Sequence, residues 1–139
     1  MRKNLSPADL GDLLELPLVA VLATYRADGD VLLSPVWHEW RDGAFQVATG
    51  ANDIKVRHLR RDSRVSIVVY EHEQPYRGIE VKGHARLLPE DAAAAVVRIA
   101  VRYLGTEAGT AYAAREVDDM LIRIEPGDLR AWDFADDIL

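Results

Sequence analysis

Residues Ser34 to Arg64 read SPVWHEWRDGAFQVATGANDIKVRHLRRDSR. The predicted fold is organised around this stretch. Two apolar segments flank a tight turn at Asp42-Gly43, a dipeptide typical of β-hairpins. After Thr49-Gly50 the chain breaks into a short basic segment. A hairpin that leads into a positive loop-to-helix turn suits a large flat ligand with an anionic tail.

The basic segment is a local excess of positive charge in an acidic protein. The whole chain has a net charge of −6, yet Ala51 to Arg64 holds two Asp against five basic residues, Lys55, Arg57, Arg60, Arg61 and Arg64. Asn52 is predicted to cap a short helix from Asp53 to Arg61, which leaves other backbone N–H groups free to face an anion. Two interpretations stay open, an anion site and a solvated helix face.

The bulk composition narrows the classes of protein. The 139 residues fit a single domain, 1–139, and 49% hydrophobic residues allow a real core. The chain has no cysteine, which excludes disulfides and thiolate metal sites. The negative charge argues against a general nucleic-acid binder. No apolar run approaches the roughly 20 residues of a membrane span, and the N-terminus has no signal region, so a cytoplasmic location is expected.

Short apolar segments bounded by turn residues predict about seven strands. They are Leu18 to Tyr25, Val31 to Trp40, Ala44 to Thr49, Arg64 to Tyr70, Ile79 to Leu88, Met120 to Ile124 and Leu129 to Phe134. A turn at Pro126-Gly127 is predicted between the last two. Pro35 lies inside the second strand and cannot donate to a ladder, so that strand should be an edge or carry a bulge.

Three helical segments besides the one from Asp53 to Arg61 accompany the strands. Ser6, Pro7 and Asp9 have the pattern of a capped helix start. A helix from Pro89 to Leu104 should bury Val97, Ala100, Val101 and Leu104, and a shorter one runs from Thr106 to Ala114. The combination predicts a mainly β (α+β) fold, a small antiparallel barrel with helices outside. Such a barrel has a packed interior, so a large ligand must lie outside it, at a subunit junction.

No local motif assigns catalytic residues. The four histidines share no metal-ligand spacing, so no metal site is expected. There is no phosphate-binding P-loop, no G-x-G-x-x-G and no G-x-S-x-G. The catalytic residues therefore stay unknown.

An ordered set of motifs nevertheless resembles a known family. It comprises LATYRADG from Leu22, SPVW from Ser34, TGANDIKVRHLRRDSRV from Thr49 and PYRGIEVKGHARL from Pro75, and it ends near Trp132. Residues 18–134 are similar in these pieces to the pyridoxamine phosphate oxidase-like, split-barrel flavin and deazaflavin proteins. Among these, the small enzymes that use coenzyme F420 are the most similar.

The resemblance implies a split antiparallel β-barrel of the FMN-binding type, a homodimer, and two composite ligand sites at the subunit interface. The K-V-R segment would hold the cofactor phosphate, and the S-P-V-W strand would lie along the ring system. The implied cofactor-binding residues are Ser34, Pro35, Val36, Trp37, Thr49, Gly50, Asn52, Lys55, Arg57, His58, Arg60, Arg77 and Trp132. His58 stands where many relatives have Asn, which leaves its role open.

Three functions follow from the sequence. The first is an oxidoreductase that binds F420 and transfers a hydride to a small or planar organic acceptor. The second is an FMN-binding reductase or oxidase of the same fold, because both cofactors present a phosphate to the same basic turn. The third is a non-catalytic carrier of a flavin or haem.

Overall fold

The fold is known from a computed structural model, which describes Arg2 and residues 4–138. The strands are β1 (Ala20–Tyr25), β2 (Val31–Val36), β3 (Glu39–Arg41), β4 (Ala44–Gly50), β5 (Arg64–Tyr70), β6 (Gly78–Leu88) and β7 (Asp119–Trp132). The helices are α1 (Ile54–Arg61), α2 (Ala92–Leu104), α3 (Thr106–Ala113) and α4 (Ala135–Ile138). Single 3₁₀ turns cover Pro7–Leu10, Leu13–Glu15 and Pro89–Asp91. None of the helices in the described part of the chain is long and apolar enough to cross a membrane.

The seven strands form one antiparallel sheet in the order β2-β1-β5-β6-β7-β4-β3. β2 and β3 lie at opposite edges, yet only Trp37 and His38 separate them in the chain. An extended residue spans at most about 3.6 Å, so the sheet must curl until its two edges nearly meet. The result is a barrel that is split between β2 and β3, which confirms the predicted fold class.

Apolar side chains fill the interior of the barrel. Val65, Ile67 and Val69 alternate inward from β5, and Phe45 of β4 is the largest fully buried side chain. Leu59 of α1 closes one side of this cluster. The packed interior leaves a large ligand only the outside of the barrel.

The structure corrects two strand predictions. The predicted strand Val31 to Trp40 is divided into β2 and β3 at the split, although Pro35 does lie on an edge strand as expected. The predicted turn at Pro126-Gly127 is wrong, because β7 runs through it and pairs with β6 on both sides. The register shift at Lys82/Gly83 leaves Gly127 as the extra residue of a bulge, and a Cβ on Gly83 would collide with the backbone carbonyl of Glu125.

The predicted inward face of α2 is also partly wrong. Ala100 is buried, but Val97 and Leu104 remain 44% and 42% exposed. The residues that α2 buries are Ala92, Ala95, Val96, Ile99 and Ala100. The helix is apolar on nearly every side, so periodicity alone could not choose the face that packs on the barrel. At the N-terminus the capping box of Ser6 and Asp9 forms as predicted, although it starts a 3₁₀ turn.

Candidate cofactor-binding site

A cleft of about 360 Å³ opens where the barrel is split. Its lining comes from the segment before β1, the end of β2, β4, α1 and α3. The lining residues are Val19, Pro35, Val36, Trp37, Ala48, Thr49, Lys55 and Tyr112. Flat apolar surfaces therefore face a single cationic group, an arrangement that matches a planar molecule carrying an anion.

Trp37 is the largest apolar surface of the cleft, and two tyrosines hold it in place. Its indole stacks on Tyr103 of α2 with ring centroids 5.0 Å apart and planes 8° from parallel. Tyr112 of α3 packs against it at 5.4 Å in a tilted arrangement. Offset stacking of this kind adds to burial and fixes the ring orientation. The two helices α2 and α3 outside the barrel thus fix the position of the Trp37 side chain at the split.

The Tyr103 hydroxyl ties together the two backbone segments that form the cleft. It accepts the His38 backbone N–H at 3.0 Å and donates to the Leu18 carbonyl at 2.6 Å. Both hydrogen-bond partners of this hydroxyl are next in sequence to residues that line the cleft, because Leu18 precedes Val19 and His38 follows Trp37. One phenol on α2 therefore sets the separation of two walls of the cleft.

His38 completes this network from a fully buried position. Its Nδ1 lies 3.0 Å from the Tyr103 hydroxyl, whose single proton points to the nearer Leu18 carbonyl, so Nδ1 carries a hydrogen and donates. Its Nε2 is buried with no partner among the described residues. Burial, reinforced by the positive charge of Arg102, lowers the pKa of His38 to about 4. The imidazole is therefore neutral near pH 7.

Lys55 supplies the cation at the other end of the cleft. It lies in the first turn of α1, whose N-cap is Asp53 and not the predicted Asn52; the Asp53 carboxylate accepts the Lys55 backbone N–H at 3.0 Å. The Lys55 ammonium also pairs with that carboxylate at 2.9 Å. Partial burial raises the pKa of Asp53, but the hydrogen bonds from Lys55 outweigh this and hold the pKa below its usual value. An ammonium has three donors, so it can pair with Asp53 and still bind an anion.

The structure brings five of the predicted binding residues together in the cleft, namely Pro35, Val36, Trp37, Thr49 and Lys55. Gly50 borders a second hollow beside it. Ser34 is half-buried on β2, and Asn52 and Arg57 are exposed near the start of α1. Arg60 lines a separate depression. The cofactor-binding roles of all these residues stay predictions.

Three further predicted residues lie away from the cleft within one chain. His58 points into the protein and contacts the Thr24 hydroxyl at 2.9 Å through Nδ1. Arg77 is held by Glu71 and other groups under the barrel. Trp132 packs over Gly78, where a Cβ would collide with its ring. These positions assign no cofactor contact to the three residues in a single chain, so their cofactor-binding roles, with a contact of Trp132 across a subunit interface, stay predictions.

Sequence reasoning missed Val19, Ala48 and Tyr112. Val19 and Ala48 look like ordinary strand residues, and Tyr112 belongs to a helix far from the hairpin in sequence. Only the packing of α3 beside the split brings Tyr112 to the cleft. In the part of the chain that the structure describes, no three His, Asp or Glu side chains converge to hold a metal ion.

Comparisons with known proteins agree with the fold. The sequence profile described as pyridoxamine 5'-phosphate oxidase matches residues 7–133. A solved structure of a conserved hypothetical protein from Mycobacterium tuberculosis is 27% identical, with 97% of this chain and 89% of that chain covered and a TM-score of 0.82. A structure named F420 Reductase is 28% identical, with 85% and 93% covered and a TM-score of 0.71.

A more distant structure, the haem storage protein HutZ from Vibrio cholerae, shares the fold. It is 18% identical, with 88% of this chain and 92% of that chain covered and a TM-score of 0.69. No curated protein matches the chain significantly in sequence. The profile match runs from the first 3₁₀ turn to the end of β7, and the curled seven-stranded sheet has the split-barrel architecture. The chain belongs to the pyridoxamine 5'-phosphate oxidase family.

Proposed function

We propose that the chain is an oxidoreductase that binds coenzyme F420 at the split of the barrel and reduces a small or planar organic acceptor. The observation that carries this proposal is the cleft itself, in which Lys55 faces the flat surfaces of Pro35, Val36 and Trp37. The similarity to a structure named F420 Reductase over most of both chains supports F420 as the cofactor. F420, when bound, supplies the hydride chemistry, and the protein supplies position and exclusion of water.

The residues of the cleft divide this work by their chemistry. Lys55 gives a charge-assisted hydrogen bond to the cofactor phosphate, and the Thr49 hydroxyl is a neutral donor beside it. Pro35, Val36 and Trp37 contact the face of the ring system and keep water from it. Pro35 is on an edge strand, so the backbone of β2 is also accessible for hydrogen bonds to ring atoms.

The basic residues beyond the cleft favour a long anion. Arg57 and Arg60 are exposed on the same helix as Lys55, and neither makes an ion pair or hydrogen bond with a described residue. F420 carries carboxylates beyond its phosphate, whereas FMN ends at its phosphate. Exposed cations without an ion pair, on the helix that carries Lys55, therefore support the more anionic F420 over FMN.

FMN remains the second candidate, because the same cleft offers a ring surface and a phosphate-binding cation. Haem fits the cleft of a single chain less well than either cofactor. Among the described residues that line the cleft there is no histidine to ligate iron, and His38 and His58 are both buried in other contacts.

A homodimer is part of the proposal. β2 is an edge strand that exposes Val31 and Leu33, at 43% and 61%, and Val19 at the cleft is 53% exposed. A second copy on this apolar surface would cover the open side of the cleft and could contribute Trp132 to it. Sedimentation at working concentration should give a dimer. A monomer that binds cofactor at full strength would contradict the composite site.

The central test is direct binding. The protein is titrated separately with F420, FMN and haem, and each affinity is measured by fluorescence or absorbance over a series of salt concentrations. F420 should bind most tightly and lose the most affinity with added salt, because exposed charges are screened. Tight FMN binding without detectable F420 binding would reject F420 as the cofactor.

Lys55→Ala tests the anion site within that experiment. Loss of a hydrogen bond between charged groups should weaken cofactor binding by about 1.5–3 kcal/mol, roughly 10- to 150-fold. Lys82→Ala is the matched control, since Lys82 is an exposed lysine on the outer surface of β6. Turnover at saturating cofactor should fall much less for Lys55→Ala than for a Trp37 variant. A pure carrier would show the binding loss and no turnover with any acceptor.

A further inference from the structure

A second hollow of about 250 Å³ adjoins the cleft on the side of α2 and α3. The cleft and the hollow share four lining residues, Trp37, Ala48, Thr49 and Tyr112. The hollow adds Gly50, Val96, Ile99, Ala100, Arg115, Val117 and Asp119. Ala48 and Thr49 are small, so the two spaces come close together above β4.

The walls of the hollow select a flat apolar group. Val96, Ile99 and Ala100 form its floor from the buried face of α2, and Val117 borders it from the loop before β7. The volume lies below the roughly 300 Å³ at which pockets for drug-sized ligands begin. A ligand of one or two fused rings is therefore the size that fits.

Arg115 adds an unused cation at the edge of this apolar space. Its guanidinium lies over the ring of Tyr112, 3.6 Å from the centroid, and its Nε donates to the Tyr112 carbonyl at 2.8 Å. Its two Nη groups make no hydrogen bond or ion pair with any described residue. The side chain is thus oriented by Tyr112 while the forked end of the guanidinium stays available for a carboxylate or similar anion.

Asp119 limits the ligand to a single negative charge. Its side chain is partly buried on β7 at the hollow and makes no ion pair within the described structure. Burial raises the pKa of Asp119, whereas the nearby charge of Arg115 lowers it. A second anionic group on the ligand would be placed near this carboxyl and repelled by its ionised form.

We propose that the hollow is a binding site for a planar aromatic monoanion, held by Arg115, and that this molecule is the acceptor, which would take a hydride from the reduced cofactor and a proton from water. Assigning the bound molecule as the acceptor rests on the proposed function, whereas the existence of the site does not. The ring lies against Trp37 and Tyr112, and its edge reaches the cleft over Ala48 and Thr49. A neutral analogue of the same shape binds more weakly, because it forgoes the charge-assisted bond to Arg115.

The test compares 2-naphthoate with its neutral analogue 2-naphthamide as probes. Calorimetry gives each affinity with the full chain, first without cofactor and then with saturating F420 or FMN, whichever binds. The shift of the Trp37 indole N–H signal, assigned with Trp37→Phe, reports that the probe lies against Trp37. Naphthoate should bind more tightly than naphthamide, and saturating cofactor should change its affinity by less than about twofold, since acceptor and cofactor must bind together.

Two substitutions test separately the charge of Arg115 and the free volume of the hollow. Arg115→Ala should weaken naphthoate about five- to tenfold, a modest effect because the guanidinium is exposed, and should leave naphthamide unchanged. The naphthoate affinity of Arg115→Lys should fall between those of the wild type and Arg115→Ala. Arg26→Ala is the control, since Arg26 is exposed and makes no ion pair with a described residue. Val117→Trp should fill the hollow and abolish binding of both probes. Val97→Trp, at an equally exposed position outside the hollow, should not.

The outcomes distinguish this inference from the proposed function. Naphthoate affinity unchanged by both Arg115→Ala and Val117→Trp would overturn the site, even if F420 binds in the cleft. Displacement of naphthoate by saturating cofactor would overturn the acceptor assignment, since the hollow would then belong to the cofactor. Binding of naphthoate through Arg115 by a protein that binds neither F420 nor FMN would support the site while rejecting the proposed function.

Discussion

Lys55 and Arg77 were predicted to serve the same site, and the structure gives them different surroundings. Their side chains are almost equally enclosed, with 14% and 17% of the surface exposed. Among the described residues Lys55 has one ion-pair partner, Asp53, two residues away in the chain, and it borders the cleft. Arg77 donates hydrogen bonds to Glu71 and other groups, and it does not line the cleft.

The bonds of Arg77 cross the molecule. Its Nε and Nη2 form a two-pronged pair with the Glu71 carboxylate at 2.9 and 2.8 Å. Its Nη1 donates to the Leu10 carbonyl at 2.7 Å and to Asp12 at 2.8 Å. Arg77 therefore fixes the N-terminal 3₁₀ turns to the barrel. Similar enclosure therefore does not imply the same role, because the partners of an enclosed cation decide whether its donors are free for a ligand.

The largest expected effect is on stability at Arg77. Arg77→Ala would leave the nearly buried Glu71 carboxylate without its partner, so the free energy of unfolding should fall by about 3–5 kcal/mol. Lys55→Ala breaks only a local, partly exposed pair and should cost less than about 1 kcal/mol. Urea denaturation measures both. An equal loss for Lys55→Ala would mean that Lys55 is as structural as Arg77.

The second expected effect is a pH dependence of the free energy of unfolding that originates from His38 at the split. The pKa of His38 is about 4 in the folded protein against 6.5 for a free histidine, so the unfolded chain binds this proton first as the pH falls. Stability should drop between pH 6.5 and 4 by up to about 3 kcal/mol, at about 1.4 kcal/mol per pH unit. The carboxyl of Glu71 has a lowered pKa because of the hydrogen bond from Arg77, so its contribution is lost only at lower pH, below the usual value of 4.5.

Denaturation of the wild type and of His38→Asn across this range measures the effect. Asn retains an N–H donor toward Tyr103 but does not titrate, so the slope between pH 6.5 and 4 should flatten. A wild-type curve that is level down to pH 4.5 would contradict the burial of His38 as a neutral imidazole.

A smaller effect is expected at the Tyr103 hydroxyl. Tyr103→Phe keeps the stack on Trp37 but leaves the His38 N–H and the Leu18 carbonyl unpaired, which should cost about 1–2 kcal/mol of stability. Cofactor affinity should fall a few-fold, because the two segments beside the cleft are no longer tied. Tyr112→Phe is the matched control, since the Tyr112 hydroxyl makes no hydrogen bond within the described residues. Equal behaviour of the two variants in denaturation and titration would rule out the hydroxyl as the tie.

The smallest expected effect concerns Asp53, the partner of Lys55. Asp53→Asn keeps a side-chain oxygen that can cap α1, so stability should change by less than about 0.5 kcal/mol. It removes the charge that competes for the Lys55 ammonium, so an anionic cofactor should bind a few-fold more tightly. Titration with F420 or FMN measures this. Weaker binding would mean that Asp53 positions Lys55 for the anion and does not compete with it.

The sequence predicted well what depends on neighbouring residues. The hairpin at Asp42-Gly43, the capping box of Ser6 and Asp9 and the α1 segment follow from turn and capping chemistry within a few residues. It failed where distant packing decided between local alternatives. Pro126-Gly127 stays inside β7 because Gly83 on the neighbouring strand leaves room for the bulge.

The sequence by itself determined the strand-rich antiparallel-barrel class, the edge position of Pro35 and the basic turn that carries Lys55. These follow from periodicity, from a missing N–H and from charge, all properties of short segments. Only the tertiary structure decided that Tyr112 lines the cleft, that Tyr103 ties its walls, and that Arg77 is occupied elsewhere. Those outcomes depend on which surfaces meet after the sheet curls, and contacts between residues far apart in the chain leave no local pattern from which to predict them.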